Sequence, residues 1–292
     1  LARLPTGSLL ADPRPLLFSP QPLLNSQREI HLVVNFWSPQ LKLTPHRDEV
    51  EAAIFSNLCN KHFHTVHVLL EATHDFKCHQ LKKRMEHHAE RHNMSVQANM
   101  NCVHHASRLV SYADMFRFAR SLKDTSSKQT LVTIANADMV FDETVSDVQP
   151  LRSDTVAVIA TKGMPSGSYP EDVKSKYAIL LGRKIKANIN RCYDLAKEKR
   201  TSWDAFVFDP EHLYFNQTDF LDGEMRMPFT MNQNGAEEAA LNAILKSSRF
   251  KCAKQLCEHV NIWHFHMEEK THFNSSEEFV VHPYSWPEEC DS

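Results

Sequence analysis

Glycine is scarce, with six residues in a chain of 292, well under the ~7% of an average protein. Six glycines leave no room for a dinucleotide fingerprint, and neither GxGxxG nor GxxxxGK[ST] occurs. A glycine cradle for phosphates, of the Rossmann cofactor or P-loop kind, is therefore excluded. No run of 18 apolar residues exists, so no segment reads as a transmembrane helix. A Lys/Arg surplus is also missing: 33 stand against 36 Asp/Glu, a formal charge of −3. That balance argues against holding nucleic acid chiefly through a basic surface, although a local basic patch stays open. The seven cysteines (Cys59, Cys78, Cys102, Cys192, Cys252, Cys257, Cys290) are odd in number and contain no CxxC. They match neither a dense disulfide framework nor a zinc ribbon, so free thiols in a reducing compartment are the expectation.

What is present describes a folded chain. A 42% hydrophobic and 24% charged composition supports one large domain or two small ones. The first residue is Leu1 rather than Met, which reads as a fragment or a processed product. Residues 1–28, with five prolines and no sustained period, read as an extended arm, residues 29–275 as the domain, and residues 276–292 as a tail. Three glycosylation sequons begin at Asn93, Asn216 and Asn274, a number that chance alone supplies, so they leave the compartment open. The expected location leans to the interior of the cell, with the Golgi lumen not excluded.

Strand-like apolar runs occupy residues 30–36, 65–71, 129–135, 156–160, 206–208 and 259–266. Helical spacing covers 47–57, a charged and histidine-rich helix expected to be solvated covers 77–92, and a further helix covers 108–122 with Leu109, Tyr112, Phe116, Ala119 and Leu122 on one face. Another helix is expected from Ala236 to Lys246, and the Gly/Pro/Ser-rich loop Gly163 to Pro170 has the composition of a lid. Strand and helix alternating over about a hundred residues predict an α/β sandwich with a parallel sheet. Ligands of such sheets sit at the carboxyl ends of the strands, which makes Asn35, Glu71, Asn136 and Asp138 the first site candidates. Asn136 and Asp138, two apart on an extended backbone, point the same way and together suit a hard divalent cation bridging to a diphosphate. The competing reading of such an Asn-x-Asp is a capped strand end that makes a turn.

The surroundings of that pair carry a resemblance. Asn136-Ala137-Asp138-Met139-Val140-Phe141-Asp142 follows a strand in the form N-[AS]-D-[IM]-x-F-D. Before it come Asn35-Phe36-Trp37-Ser38-Pro39, Leu69-Leu70-Glu71, and Arg108 with Tyr112-Ala113-Asp114-Met115-Phe116. After it come Ser202-Trp203-Asp204-Ala205-Phe206-Val207-Phe208, Gly235-Ala236-Glu237-Glu238 and His264-Phe265-His266. In this order the blocks, spanning roughly residues 30 to 272, resemble the nucleotide-sugar glycosyltransferases of the GT-A fold. The resemblance implies a GT-A-like, Rossmann-like three-layer sandwich with a mostly parallel central sheet. It also implies a nucleotide-sugar donor and a divalent cation, manganese or magnesium. Asp138 is then the principal metal ligand of a DxD-like motif, with Asn136 where many relatives carry a second carboxylate. Asn35 and Glu71 line the nucleoside, Arg108 reaches the donor phosphates or sugar, and His266, with His264, completes the metal or diphosphate site.

Taking the acceptor's proton needs a carboxylate near its hydroxyl. Asp204, Glu237 and Glu238 are the candidates, and the resemblance, which implies an Asp just before an aromatic strand, prefers Asp204 over the two glutamates, whose charge also suits a helix amino terminus. Trp203 offers a sugar-stacking face, with core packing as the alternative. The acceptor is open between a glycan, a protein and a modified nucleic-acid base, the last because a distant set of relatives acts on a base in DNA. His88-Ala89-Glu90-Arg91-His92 is not HExxH, since its glutamate is third rather than second, so the remaining histidines read as surface residues. Two other functions are carried alongside: a catalytically degenerate domain of the same fold serving as a binding or scaffold module, and a hydrolase or cyclase acting on a small nucleotide.

Overall fold

The computed structural model describes residues 28–36, 44–71, 76–105, 110–123, 129–148, 151–152, 154–160, 185–189, 203–213, 240, 244–245, 249–256, 259–267 and 290. A seven-stranded sheet has the order β3-β2-β1-β4-β8-β6-β9. Its strands are β1 (Arg28–Phe36), β2 (Phe63–Leu70), β3 (Asn99–His104), β4 (Gln129–Ala135), β6 (Thr155–Ala160), β8 (Trp203–Phe208) and β9 (Cys252–Gln255). A smaller antiparallel sheet, β5-β10-β7, contains β5 (Met139–Phe141), β7 (Ile185–Ile189) and β10 (Ile262–Met267). Strands β1 to β4 run parallel, β6 runs parallel to β9, and β8 runs antiparallel to both its neighbours.

Helices cover both faces of the large sheet. Leu32, Val34 and Phe36 of β1 share one core with Val50, Ile54 and Leu58 of α1 (Thr44–Leu58) and Leu81, Met85 and Ala89 of α2 (Cys78–His92). Val33, between them in sequence, faces the second core with Tyr112, Met115, Phe116 and Ala119 of α3 (Tyr112–Ser121). Strands apolar on both faces are what a buried parallel sheet requires. The result is the predicted mostly parallel three-layer α/β sandwich.

Several details depart from the sequence reading. The helix read over 47–57 begins earlier, at Thr44, so Pro45 lies in the first turn of α1, where a missing N–H leaves no bond unmade. The histidine-rich helix α2 is solvated on one side only, because Cys78, Leu81, Met85 and Ala89 form a buried stripe at helical spacing. The strands β3, β5, β7 and β9 escaped detection: β3 carries polar residues at 99, 101 and 104, β5 has three residues, and β9 is a four-residue edge. The free-thiol expectation is overturned for four cysteines, since Cys78–Cys102 and Cys252–Cys290 are disulfides. Spacing could not reveal these pairs, because tertiary packing sets α2 against β3 and brings residue 290 to β9, where its N–H donates to Ala253. Cys59 remains a thiol, its pKa pushed up to about 12 by burial. The arm, the loop Gly163 to Pro170, Cys192, Cys257, most of the helix expected from Ala236 and most of the tail lie outside the described residues. No described helix is long and apolar enough to cross a membrane.

Candidate functional site

Parallel strands deliver their last residues to one end of the sheet. Glu71 follows β2, Asn35 lies near the end of β1, and Asn136 follows β4. Because β8 is antiparallel to β4, its beginning reaches the same end: Ala135 pairs with Ala205, and the N–H of Asn136 donates to the carbonyl of Asp204 (3.2 Å). Strand order thus sets Glu71, Asn35, Asn136 and Asp204 in a row. Side-chain alternation places Asn35, Glu71 and Asp204 on one face, and Asn136, in the turn after β4, joins them through the bond from Tyr112 of α3. Val33, Leu69, Ile134 and Phe206, each two residues away in its strand, belong to the core under α3.

This row is largely buried, at 3% exposure for Glu71, 6% for Asn35 and 3% for Asp204. The amino-terminal end of α3 lies against it. Val110 N–H donates to Glu71 Oε1 (3.0 Å), and Tyr112 Oη–H donates to Asn136 Oδ1 (3.0 Å). Glu71 Oε2 is buried without a hydrogen-bond partner among the described residues. Burial raises the Glu71 pKa, opposed by the Val110 bond, a side-chain bond from Asn35, and the nearby His105. A buried acceptor atom left open is costly in a folded protein unless a ligand completes it.

The helix end is itself tightly fixed. Asp114 Oδ2 accepts from Ser111 N–H (3.0 Å) and Ser111 Oγ–H (2.6 Å), and Asp114 N–H donates to Ser111 Oγ (3.2 Å), a reciprocal cap that satisfies helix-terminal donors. His105 Nε2 lies 3.5 Å from Asp114 Oδ1, while the His105 N–H donates to Leu70 O (2.8 Å). For Asp114, burial pushes the pKa upward, but the bonds from His105 and Ser111 outweigh it and hold the carboxyl at about 2.

Asn136 and Asp138 are not on extended backbone. Met139 N–H donates to Asn136 O (3.1 Å), closing a turn between β4 and β5, so the expected same-side projection from a strand is corrected to a turn. That turn is anchored from α1. Asn57, 1% exposed, donates from Nδ2 to Met139 O (2.8 Å) and accepts from Phe141 N–H (3.0 Å), acting as a surrogate neighbour for β5. Asn60 Nδ2 adds a bond to Phe141 O (3.1 Å). Asp142, the last residue of the motif, accepts from Thr144 N–H (2.9 Å) and Asn261 Nδ2 (3.1 Å), a structural role.

The described residues therefore join Asn35, Glu71, Asn136 and Asp204, with Asp138 two residues beyond Asn136. His264 pairs in register with Met139, which brings β10 beside the turn, and His266 pairs farther along with Lys186. Arg108, Glu237 and Glu238, and the side chains of Trp203, His264 and His266, lie outside the described residues. Among the described residues no three His, Cys, Asp or Glu are grouped so as to hold a metal. Asp138 and Asn136 supply oxygens of the type a hard cation takes, yet Asn136 Oδ1 is already engaged by Tyr112. Tyr112, His105, Ser111 and Asp114 were not singled out above as site residues, although Ser111-x-x-Asp114 carries the spacing of a capping box. Nothing in their spacing foretold that this cap would close over Glu71.

No family model matches the chain, and no curated protein sequence matches it. Among solved structures, the chain is similar to the crystal structure of 4-diphosphocytidyl-2C-methyl-D-erythritolsynthase from Anaerococcus prevotii DSM 20548. The TM-score is 0.36 at 11% sequence identity, over 64% of this chain and 73% of that one. A likeness of that size identifies neither family nor activity.

Proposed function

We propose that this protein transfers a sugar from a nucleotide-diphosphate donor to a hydroxyl acceptor. The observation that carries the reading is the row of buried Glu71, Asn35 and Asp204 with half-buried Asn136 at the carboxyl end of the parallel strands. These are the residues the motif resemblance assigns to donor and acceptor. Glu71 and Asn35 offer an acceptor oxygen and an amide to the nucleoside, and Arg108 neutralises the diphosphate. Asp204 takes the proton from the acceptor hydroxyl as its oxygen bonds to the sugar C1 and the bond from C1 to the diphosphate breaks. Glu237 and Glu238 are the second choice for that proton. A divalent cation, manganese or magnesium, held by Asp138 with His266 or His264, would stabilise the negative charge of the leaving diphosphate. The acceptor is a glycan, a protein or a modified nucleic-acid base.

The test is donor hydrolysis and thermal shift with UDP-, GDP- and TDP-sugars in the presence of manganese. Turnover of one donor with a matching thermal shift is the expected result; neither signal with any donor removes the enzyme reading. Asp138→Ala is expected to weaken metal-assisted donor binding at least tenfold, about 1.4 kcal/mol, while the melting temperature stays close to that of the parent. Unchanged donor affinity removes Asp138 from the site.

A second reading has its own observation. Tyr112 donates to Asn136 Oδ1, the atom that the motif would otherwise turn to a cation, which suits a binding module that has lost catalysis. Nucleotide binding without turnover, unaffected by manganese, selects it.

A further inference from the structure

Helix α2 and strand β3 form a unit closed at both ends by features of the same chemical setting. At one end Cys78, the first residue of α2, is disulfide-bonded to Cys102 of β3. At the other, Asn93 terminates α2 in the left-handed conformation (φ 50°, ψ 42°), and Asn93-Met94-Ser95 is a sequon with no proline at its centre. Asn93 and Ser95 are both exposed. The backbone N–H groups of Asn93 and Met94 are tied to Glu90 O (3.3 Å) and Ala89 O (3.0 Å), so the peptide leaves the helix at a fixed place with the Asn93 side chain in solvent. Disulfides persist in oxidising compartments and are rare in the cytosol. A second disulfide, Cys252–Cys290, lies elsewhere in the fold and points the same way.

We propose that Asn93 is an N-glycosylation site and that the chain matures in an oxidising, glycosylating compartment. The sugar source is a polyprenyl-pyrophosphate-linked oligosaccharide. Asn93 Nδ2 bonds to C1 of the reducing-end sugar, the bond from C1 to the phosphate oxygen breaks, the polyprenyl pyrophosphate departs and one amide proton is released. A glycan on Asn93 projects from the turn between α2 and β3 at the edge of the sheet where β3 is the last strand. The inference is independent of the proposed sugar-transfer activity, since it uses none of the residues assigned to it.

The test is mass spectrometry of the chain purified from its native source. Treatment with peptide:N-glycanase in heavy-oxygen water is expected to convert Asn93 to isotopically labelled aspartate, and a non-reducing digest to yield the Cys78 and Cys102 peptides linked. The labelled peptide is lost in Asn93→Gln and in Ser95→Ala and retained in Ser95→Thr. Ser95→Ala leaves the left-handed Asn93 in place, so its loss of label is not a folding artefact. An unmodified Asn93 in the native chain overturns the glycan, and free thiols at Cys78 and Cys102 overturn the compartment.

Discussion

His67 shows what one buried residue imposes on the molecule. It lies between β1 and β3, with His31 Nδ1 2.9 Å from its Nε2, Asn101 Nδ2 3.0 Å from its Nδ1, and the Phe118 ring against it. A neutral chain satisfies these contacts when Asn101 donates to Nδ1 and His67 Nε2–H donates to His31; a second proton on His67 would then oppose Asn101. Burial first, then His31 and His64, push the His67 pKa from 6.5 down to about 3. Since the folded state disfavours the proton, the unfolded chain binds more protons between those values. The stabilisation is complete above pH 6.5 and is lost as pH falls toward 3, at a slope approaching about 1.4 kcal/mol per pH unit for one proton. Denaturant melts from pH 8 to pH 4 are expected to show a shallower acid decline in His67→Gln than in the parent, and parallel curves would refute this role. Glu71 has the opposite sign. Its pKa is raised, so its ionisation costs stability as pH rises through the folded value. Glu71→Gln is expected to leave the melting temperature at pH 7 equal or higher while lowering nucleotide affinity by tenfold or more, a split that calorimetry with the candidate donors reads directly.

At the scale of elements, the three-residue strand β5 pairs with β10 on one side, and Asn57 bonds its other backbone groups. Asn57→Ala strips a buried carbonyl and a buried N–H of their partner at once. With about 1–3 kcal/mol for each buried group left unsatisfied, the expected loss is roughly 2–6 kcal/mol, measured by chemical denaturation. A loss under about 0.5 kcal/mol, within the range of ordinary surface substitutions, would mean that the turn carrying Asp138 is positioned by other contacts. The edge strand β9 depends on the chain end in a similar way, since Cys290 both bonds to Cys252 and donates its N–H to Ala253. Cys290→Ser is expected to uncover that edge and increase self-association on light scattering, because an open edge is a template for further pairing. Long apolar elements such as β1, β2, β4, α1 and α3 were legible from periodicity. The edge strands β3 and β9 were not, because local sequence does not report which backbone groups find partners across the fold, and the turn at Asn136 is the alternative that the sequence left open beside a strand end.

For the whole molecule, the sequence by itself determined the layered α/β class, since alternating apolar runs and helical stripes have few other ways to bury themselves. Scarce glycine excluded a phosphate cradle of backbone amides. The strand-end positions Asn35, Glu71 and Asn136 followed from the rule that parallel sheets present ligand groups at their carboxyl ends. Tertiary structure decided the rest. The reversed direction of β8 brought Asp204 to Asn136, packing set α3 so that Val110 and Tyr112 close over Glu71 and Asn136, and cysteines 24 and 38 residues apart became disulfides. Periodicity records how each segment buries its own apolar face, whereas these contacts join distant segments whose proximity exists only once the sheet is assembled.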